Sequence, residues 1–200
     1  MAIDTTPIKK QAEELIDKYV LTVPVHMFEL ADLMGIKWQS TSTERLKKII
    51  ERKSNKKDII PNWEDVYGYF DHTTKTIYLN DENQSITRQR FTIAHEIGHM
   101  ILHHNLQSLM RKIFLRQDVV VPRDEIEAEA NYFAGYLLMP DGAIEDRLKY
   151  TVLMIGGEQI IRKFANLFAV SPEAMRVRFK TFKKEYPELW ATHNLEEKLF

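Results

Sequence analysis

Residues 94–104 read AHEIGHMILHH, with His95 and His99 four apart and Glu96 between them. On an α-helix, residues four apart differ by about 40° in azimuth and about 6 Å in height. Two imidazoles so placed can converge on one tetrahedral Zn2+ at about 2.1 Å from each nitrogen. Glu96 then flanks the ion, within reach of a water molecule there. This is the HExxH arrangement of two ligands and one general base. His103 is two turns from His95, about 12 Å along a straight helix, and cannot share the ion. The elongated motif with a glycine bend and a third histidine also fails, because Leu102 and Asn105 stand at those places. The third ligand must come from another element.

A bare HExxH also arises by chance, and the alternative is a set of satisfied core or surface histidines. Here the motif lies in a helical pattern whose other side offers Phe91, Ile97, Met100 and Ile101 for burial. Burying two histidines and a glutamate without purpose would carry a desolvation cost. The metal reading is the stronger.

The pattern at 124–138 is a second helix. Glu127, Ala130, Asn131 and Ala134 share one face by i, i+3, i+4, i+7 spacing. Alanines there would let two helices approach closely, so that Glu127 supplies the third ligand. Asn131, one turn on, would accept a hydrogen bond from the second nitrogen of a ligand imidazole and fix its tautomer. Glu129 points about 160° away and is the less favoured choice; Asp124 and Glu125 suit a helix start, where the dipole favours acids. Two histidines and one carboxylate leave a fourth position open for water, which marks a catalytic site. Zn2+ is the expected ion, one per chain, though Mn2+ or Fe2+ can occupy such a donor set. An oxyanion donor is expected too. The residues do not name it; His103, His104, Tyr132 and Tyr136 are candidates.

The chain that must position these groups has 200 residues, 44% of them hydrophobic, and a formal net charge of −1. That is enough apolar material for a core, and it gives no bulk field toward nucleic acid or membrane. There are no cysteines, which excludes disulfides, thiolate metal sites and a cysteine nucleophile. With no apolar leader or bilayer-length run, the chain is expected to be soluble and cytoplasmic. Helices are expected over 7–20, with Ala12, Leu15, Ile16 and Tyr19 on one face, and from Pro24 to Gly35. A short strand is expected at 36–40 and a charged amphipathic helix with Leu46, Ile49 and Ile50 after it. The segment YGYFDHTTKTIYLND reads as a hairpin, strands 67–70 and 75–79, with His72 solvent-exposed at the turn. Ser85 caps the histidine helix, which runs to about residue 104; 105–122 is irregular or partly helical; Pro140 stops the Glu127 helix.

Taken together, RQRFTIAHEIGHMILHH, EAEANYFAGYLLMP and the hairpin YGYFDHTTKTIYLN resemble the ImmA/IrrE metallopeptidase family over roughly residues 24–140. The resemblance implies zinc held by His95, His99 and Glu127, with Glu96 as catalytic acid and base. It implies an α+β fold: a mainly helical zincin-like core with a small antiparallel sheet next to the active-site helix. The core would occupy 1–150, with 41–64 a peripheral insertion, and 151–200 would be a helical extension. It further implies a cytoplasmic protease of narrow specificity that cleaves a helix-turn-helix repressor of a phage, mobile element or stress regulon.

The extension, IIRKFANLFAVSPEAMRVRFKTFKK, reads as a helix-turn-helix with Ala165, Phe168, Val170, Met175, Phe179 and Phe182 inward, Ser171 as cap and Pro172 as first helical residue. Arg176, Arg178, Lys180, Lys183 and Lys184 make its second helix basic, as DNA binding would require. The favoured reading is that the pair packs on the core or docks the substrate with this face solvated. Two other functions compete with repressor cleavage: a non-catalytic, zinc-stabilised DNA- or repressor-binding regulator, and an unrelated metallohydrolase of small substrates.

Overall fold

The computed structural model describes residues 3–53, 66–82, 84–103, 123–151 and 157–192. The described chain is mainly helical, in the order α1 (Thr6–Tyr19), α2 (Met27–Leu33), β1 (Lys37–Thr41), α3 (Thr43–Lys53), β2 (Gly68–Asp71), β3 (Thr76–Asn80), α4 (Ile86–His103), α5 (Arg123–Leu138), α6 (Asp141–Thr151), α7 (Glu158–Phe168), α8 (Pro172–Glu185) and α9 (Pro187–Thr192). Among the described residues no helix is long and apolar enough to cross a membrane. The chain forms two compact units. One comprises Met1–Gln11 with His26–Ala134, the other Ala12–Val25 with Gly135–Phe200.

The first unit is built on a three-stranded sheet of order β1-β3-β2. β2 and β3 are the expected antiparallel hairpin, with Tyr69 opposite Tyr78. Asp71 shapes its turn by accepting from the Thr73 amide (3.0 Å) and the Thr74 hydroxyl (2.6 Å), as short polar side chains do at turns. The sheet is nevertheless mixed, not antiparallel: β1 lies parallel to β3, Lys37 beside Thr76. A hairpin announces itself through its turn, whereas a parallel partner nearly forty residues away leaves no local signature.

α4 packs on β2 and β3, and α2 packs on α4 and β1. Ser85 caps α4 by accepting from the Arg88 amide (3.3 Å). Its inner side buries Ile93, Ala94 and Ile97 completely. α2 begins at Met27 and not at Pro24, with His26 in the capping position; Gly35 follows its end with φ +68°, where glycine carries no steric cost. The stretch expected to be a peripheral insertion contributes α3, which packs on β2 and β3 with Leu46 and Ile50 buried. Residues 54–65 and 104–122, the latter expected to be irregular, lie outside the described residues.

In the second unit α7 and α8 pair as expected. Ala165, Phe168, Val170, Met175, Phe179 and Phe182 are buried, and the Phe164 and Phe179 rings meet edge-on at 5.2 Å. Ser171 caps α8, accepting from the Ala174 amide at 3.1 Å. The basic face is different from expectation. Arg178 is only 3% exposed; its Nε donates to the Met139 carbonyl at 3.1 Å and its guanidinium pairs with Asp141. Arg176 pairs with Glu158 and Glu173. Of the five cations expected to face solvent, Arg178 is therefore committed inside the unit, and Arg176 is ion-paired at its surface. α6, which starts directly after Pro140, had no sequence signal of its own.

Candidate metal centre

In the first unit, α4 and the part of α5 up to Ala134 bring the site together. Along α4, Gly98 lies close against α5: a methyl group there would lie 3.1 Å from a Phe133 ring carbon and 3.3 Å from the Ala130 backbone. Glycine on one helix against alanine on the other lets α5 lie close enough for a glutamate to reach the α4 histidines. The alanine side of this contact is legible in the i, i+3, i+4, i+7 spacing of α5. The glycine side was in plain view, inside the motif itself.

His95 Nε2 lies 2.9 Å from His99 Nε2 and 3.3 Å from Glu127 Oε2, and His99 Nε2 lies 3.7 Å from Glu127 Oε1. Among the described residues these three form the group able to hold a metal ion. Four ligands at about 2.1 Å in a tetrahedron are separated by about 3.4 Å. The observed 2.9, 3.3 and 3.7 Å bracket that edge, so the donor set fits Zn2+ in type and in spacing. Both imidazoles are 17% exposed and Glu127 is 47% exposed. The group therefore opens to solvent on one side, as a site with a free coordination position must.

Asn131 Oδ1 lies 3.0 Å from His95 Nδ1. With the amide oxygen as acceptor, Nδ1 carries the proton and the Nε2 lone pair faces His99 and Glu127. Burial pushes the His95 pKa down, but the hydrogen bonds its ring donates to Glu127 and Asn131 and the charges of Glu96 and Glu127 outweigh it, and the net shift is upward. Hydrogen bonds from His95 and then His99 hold the Glu127 carboxyl well below the ordinary carboxylate range.

Glu96 sits beside this group on α4. Burial raises its pKa, opposed first by His95 and His99; the carboxylate also accepts the backbone N–H of Phe70. Glu129 takes no part in the cluster, and burial together with Glu125 raises its pKa. Of the candidates for an oxyanion donor, Tyr136 falls in the second unit, where its hydroxyl donates to Glu185. The side chain of His103 and residue 104 lie outside the described residues. His72, expected to be solvent-exposed, is half-buried: its ring meets Phe70 edge-on at 4.6 Å, and burial lowers its pKa, with His99 acting in the same direction and Asp71 against it. Nothing in the sequence pattern marks Tyr69. Burial and the nearby Asp71 and Glu96 push its hydroxyl up to about 12.

Comparisons with known proteins bear on this geometry. The sequence pattern of a family described as the IrrE N-terminal-like domain, Peptidase M78, matches residues 54–180. Metallopeptidase ImmA of Bacillus subtilis (strain 168) is 34% identical over 73 residues, which is 36% of this chain and 41% of that protein. Uncharacterized immunity region protein 2 of Bacillus phage phi105 is 28% identical over 144 residues, 70% of this chain and 72% of that one. Among solved structures, a Mycobacterium tuberculosis transcriptional regulator superposes with a TM-score of 0.54 at 15% identity, covering 85% of this chain and 45% of its own. At that identity the likeness is one of fold.

Proposed function

The chain belongs to the metallopeptidase family of the IrrE N-terminal-like domain, and from that membership we propose that it is a zinc-dependent, site-specific endopeptidase acting in the cytoplasm on a helix-turn-helix transcriptional repressor. The observation that carries the catalytic part is the convergence of His95, His99 and Glu127 at tetrahedral spacing with Glu96 alongside. The relatives' names support the rest: one is a metallopeptidase and one belongs to a phage immunity region.

In this reading His95 Nε2, His99 Nε2 and one Glu127 oxygen hold the ion. Bound there, Zn2+ supplies Lewis acidity, which makes water a better proton donor and a peptide carbonyl a better electrophile. Asn131 keeps the His95 ring in the tautomer that presents a lone pair. Glu127, kept ionised by its two imidazole neighbours, brings the negative charge that offsets the ion's. Glu96 accepts a proton from the attacking water at a carboxylate oxygen and returns it to the departing amine nitrogen. Its raised proton affinity suits that role, because a base works best when its pKa lies near the working pH.

The test is co-expression with a small helix-turn-helix repressor encoded beside the gene, using wild-type and Glu96→Gln chains. Cleavage by the wild type, its loss in the variant, and equal Zn2+ content in both are expected. A repressor left intact by a zinc-loaded wild-type chain contradicts the proposal.

A further inference from the structure

Among the described residues β2 is an edge strand of the sheet, and its outer edge faces the proposed general base. The Asn80 amide donates to the Tyr67 carbonyl at 2.9 Å, and the register pairs Tyr69 with Tyr78 and Asp71 with Thr76. In an antiparallel ladder the hydrogen-bonded pairs alternate with non-bonded ones. The backbone groups of Gly68 and Phe70 therefore point away from β3, toward the outer edge. There the Phe70 N–H meets the carboxylate of Glu96.

Gly68 is the point where the strand rests on α4. A methyl group on Gly68 would lie 2.4 Å from Thr92 Cγ2, 3.2 Å from the Tyr78 carbonyl oxygen and 3.8 Å from Glu96 Oε1. Thr92 is 4% exposed, and its hydroxyl donates to the Arg88 carbonyl at 3.1 Å. Its methyl cannot rotate away without breaking that bond inside a packed interface. The spacing along the two elements also agrees. Thr92 and Glu96 are one helical turn apart, about 6 Å, and Gly68 and Phe70 are two strand residues apart, about 6.8 Å.

We propose that Gly68 is a positioning residue for Glu96: its lack of a side chain lets β2 ride close enough on Thr92 of α4 for the Phe70 amide to hold the carboxylate. The inference rests on Glu96 being the general base proposed above. Glycine is required at 68 for space, and Gly68 itself touches no reacting atom. An added methyl must lift the strand by about 1 Å to restore ordinary van der Waals separation from Thr92. A hydrogen bond of ordinary length, about 2.9 Å, does not survive that displacement.

The test compares wild-type, Glu96→Gln, Gly68→Ala and Gly68→Ala/Thr92→Ser chains as full-length, Zn2+-loaded protein. Serine at 92 keeps the hydroxyl and removes the methyl against which an alanine at position 68 would collide. The readouts are the Phe70 amide proton shift and its hydrogen-exchange rate, with Zn2+ stoichiometry and cleavage of the neighbouring repressor alongside. Gly68→Ala is expected to keep one Zn2+, to move the Phe70 amide proton upfield as Glu96→Gln does, and to speed its exchange about tenfold or more, the loss of a hydrogen bond to a charged acceptor. Its cleavage rate is expected to fall about 100-fold, the scale of a 1 Å misplacement. Gly68→Ala/Thr92→Ser recovers most of the amide signature and of the rate, short of complete because the Tyr78 oxygen remains close. The double variant also decides the matter if Gly68→Ala alone does not fold. A wild-type Phe70 signature in Gly68→Ala, or no recovery in the double variant, overturns the inference. Unchanged cleavage in Glu96→Gln overturns the general-base reading instead, whatever Phe70 does.

Discussion

Two clusters of charged and polar side chains in this chain are built in opposite ways. In the second unit Arg178, Asp141, Tyr186 and the Met139 carbonyl close on one another: Arg178 pairs with Asp141, donates to Met139 and lies 4.6 Å over the Tyr136 ring, and the Tyr186 hydroxyl donates to Asp141 at 2.7 Å. That cluster carries its own cation and is sealed, Arg178 being 3% exposed. In the first unit His95, His99 and Glu127 turn electron pairs toward a common point, and one side stays open. A sealed cluster with internal charge balance is a structural device. An open one that converges acceptors has the donor set to hold a cation, and the proposed function adds a substrate. Exposure, internal charge balance and the direction of the lone pairs together separate the two.

The sharpest way to break this comparison is to truncate each cluster in turn and ask which property fails. His99→Ala should weaken Zn2+ affinity by well over 100-fold, beyond the 10–100-fold that loss of a supporting partner costs, with little change in the melting temperature of the metal-free chain. Competition with a chromogenic chelator measures the first, and a thermal melt the second. Asp141→Ala should do the reverse. Leaving the Arg178 charge buried without its carboxylate costs about 3–5 kcal/mol, a drop in melting temperature of roughly 6–20 °C for a chain of this size, with Zn2+ stoichiometry unchanged in calorimetric titration. If both variants lose metal, or both lose only stability, the distinction fails.

Smaller effects sharpen it. Asn131→Ala should cost 10–100-fold in Zn2+ affinity, because the His95 tautomer is no longer fixed, and should leave the fold intact by circular dichroism. The Glu127 pKa is depressed, so its contribution to the metal-free fold is present above about 4.5 and fades as pH falls through the folded value. The His95 pKa is raised, so its contribution is present below 6.5 and fades as pH rises through the folded value. The metal-free chain thus gains from this pair mainly between about pH 4.5 and 6.5. Because Glu127 is half-exposed, the gain is modest. Zn2+ binding runs the other way: uptake must displace the His95 proton, so affinity climbs with pH across the same interval. Melts of wild-type and Glu127→Gln chains without metal, and chelator competition at several pH values, read the two opposing trends.

The sequence made one cluster visible and hid the other for a physical reason. His95, Glu96 and His99 lie within one helical turn or so, and Glu127, Ala130 and Asn131 within another. A spacing of three or four residues is a fixed angle on a helix, so each half of the centre could be read locally. Only the approach of the two helices had to be inferred. Arg178 looked like one more cation on a basic helix, because its partner Asp141 lies 37 residues away and nothing local marks the pair. The same limit applies to β1, whose parallel pairing with β3 has no turn to betray it. His72 read as a turn residue and proved half-buried against Phe70. The close seating of β2 on α4 through Gly68 could not be inferred from a lone glycine in an aromatic strand.

The claim on which all of this depends is that side chains from α4 and α5 hold one ion jointly. Metal content of purified wild-type and Glu127→Ala chains, measured by mass spectrometry after dialysis against a competing chelator, tests it directly. One Zn2+ per wild-type chain and a substoichiometric amount in Glu127→Ala is the predicted result. A wild-type chain that retains none, or a Glu127→Ala chain that retains as much as the wild type, would contradict it.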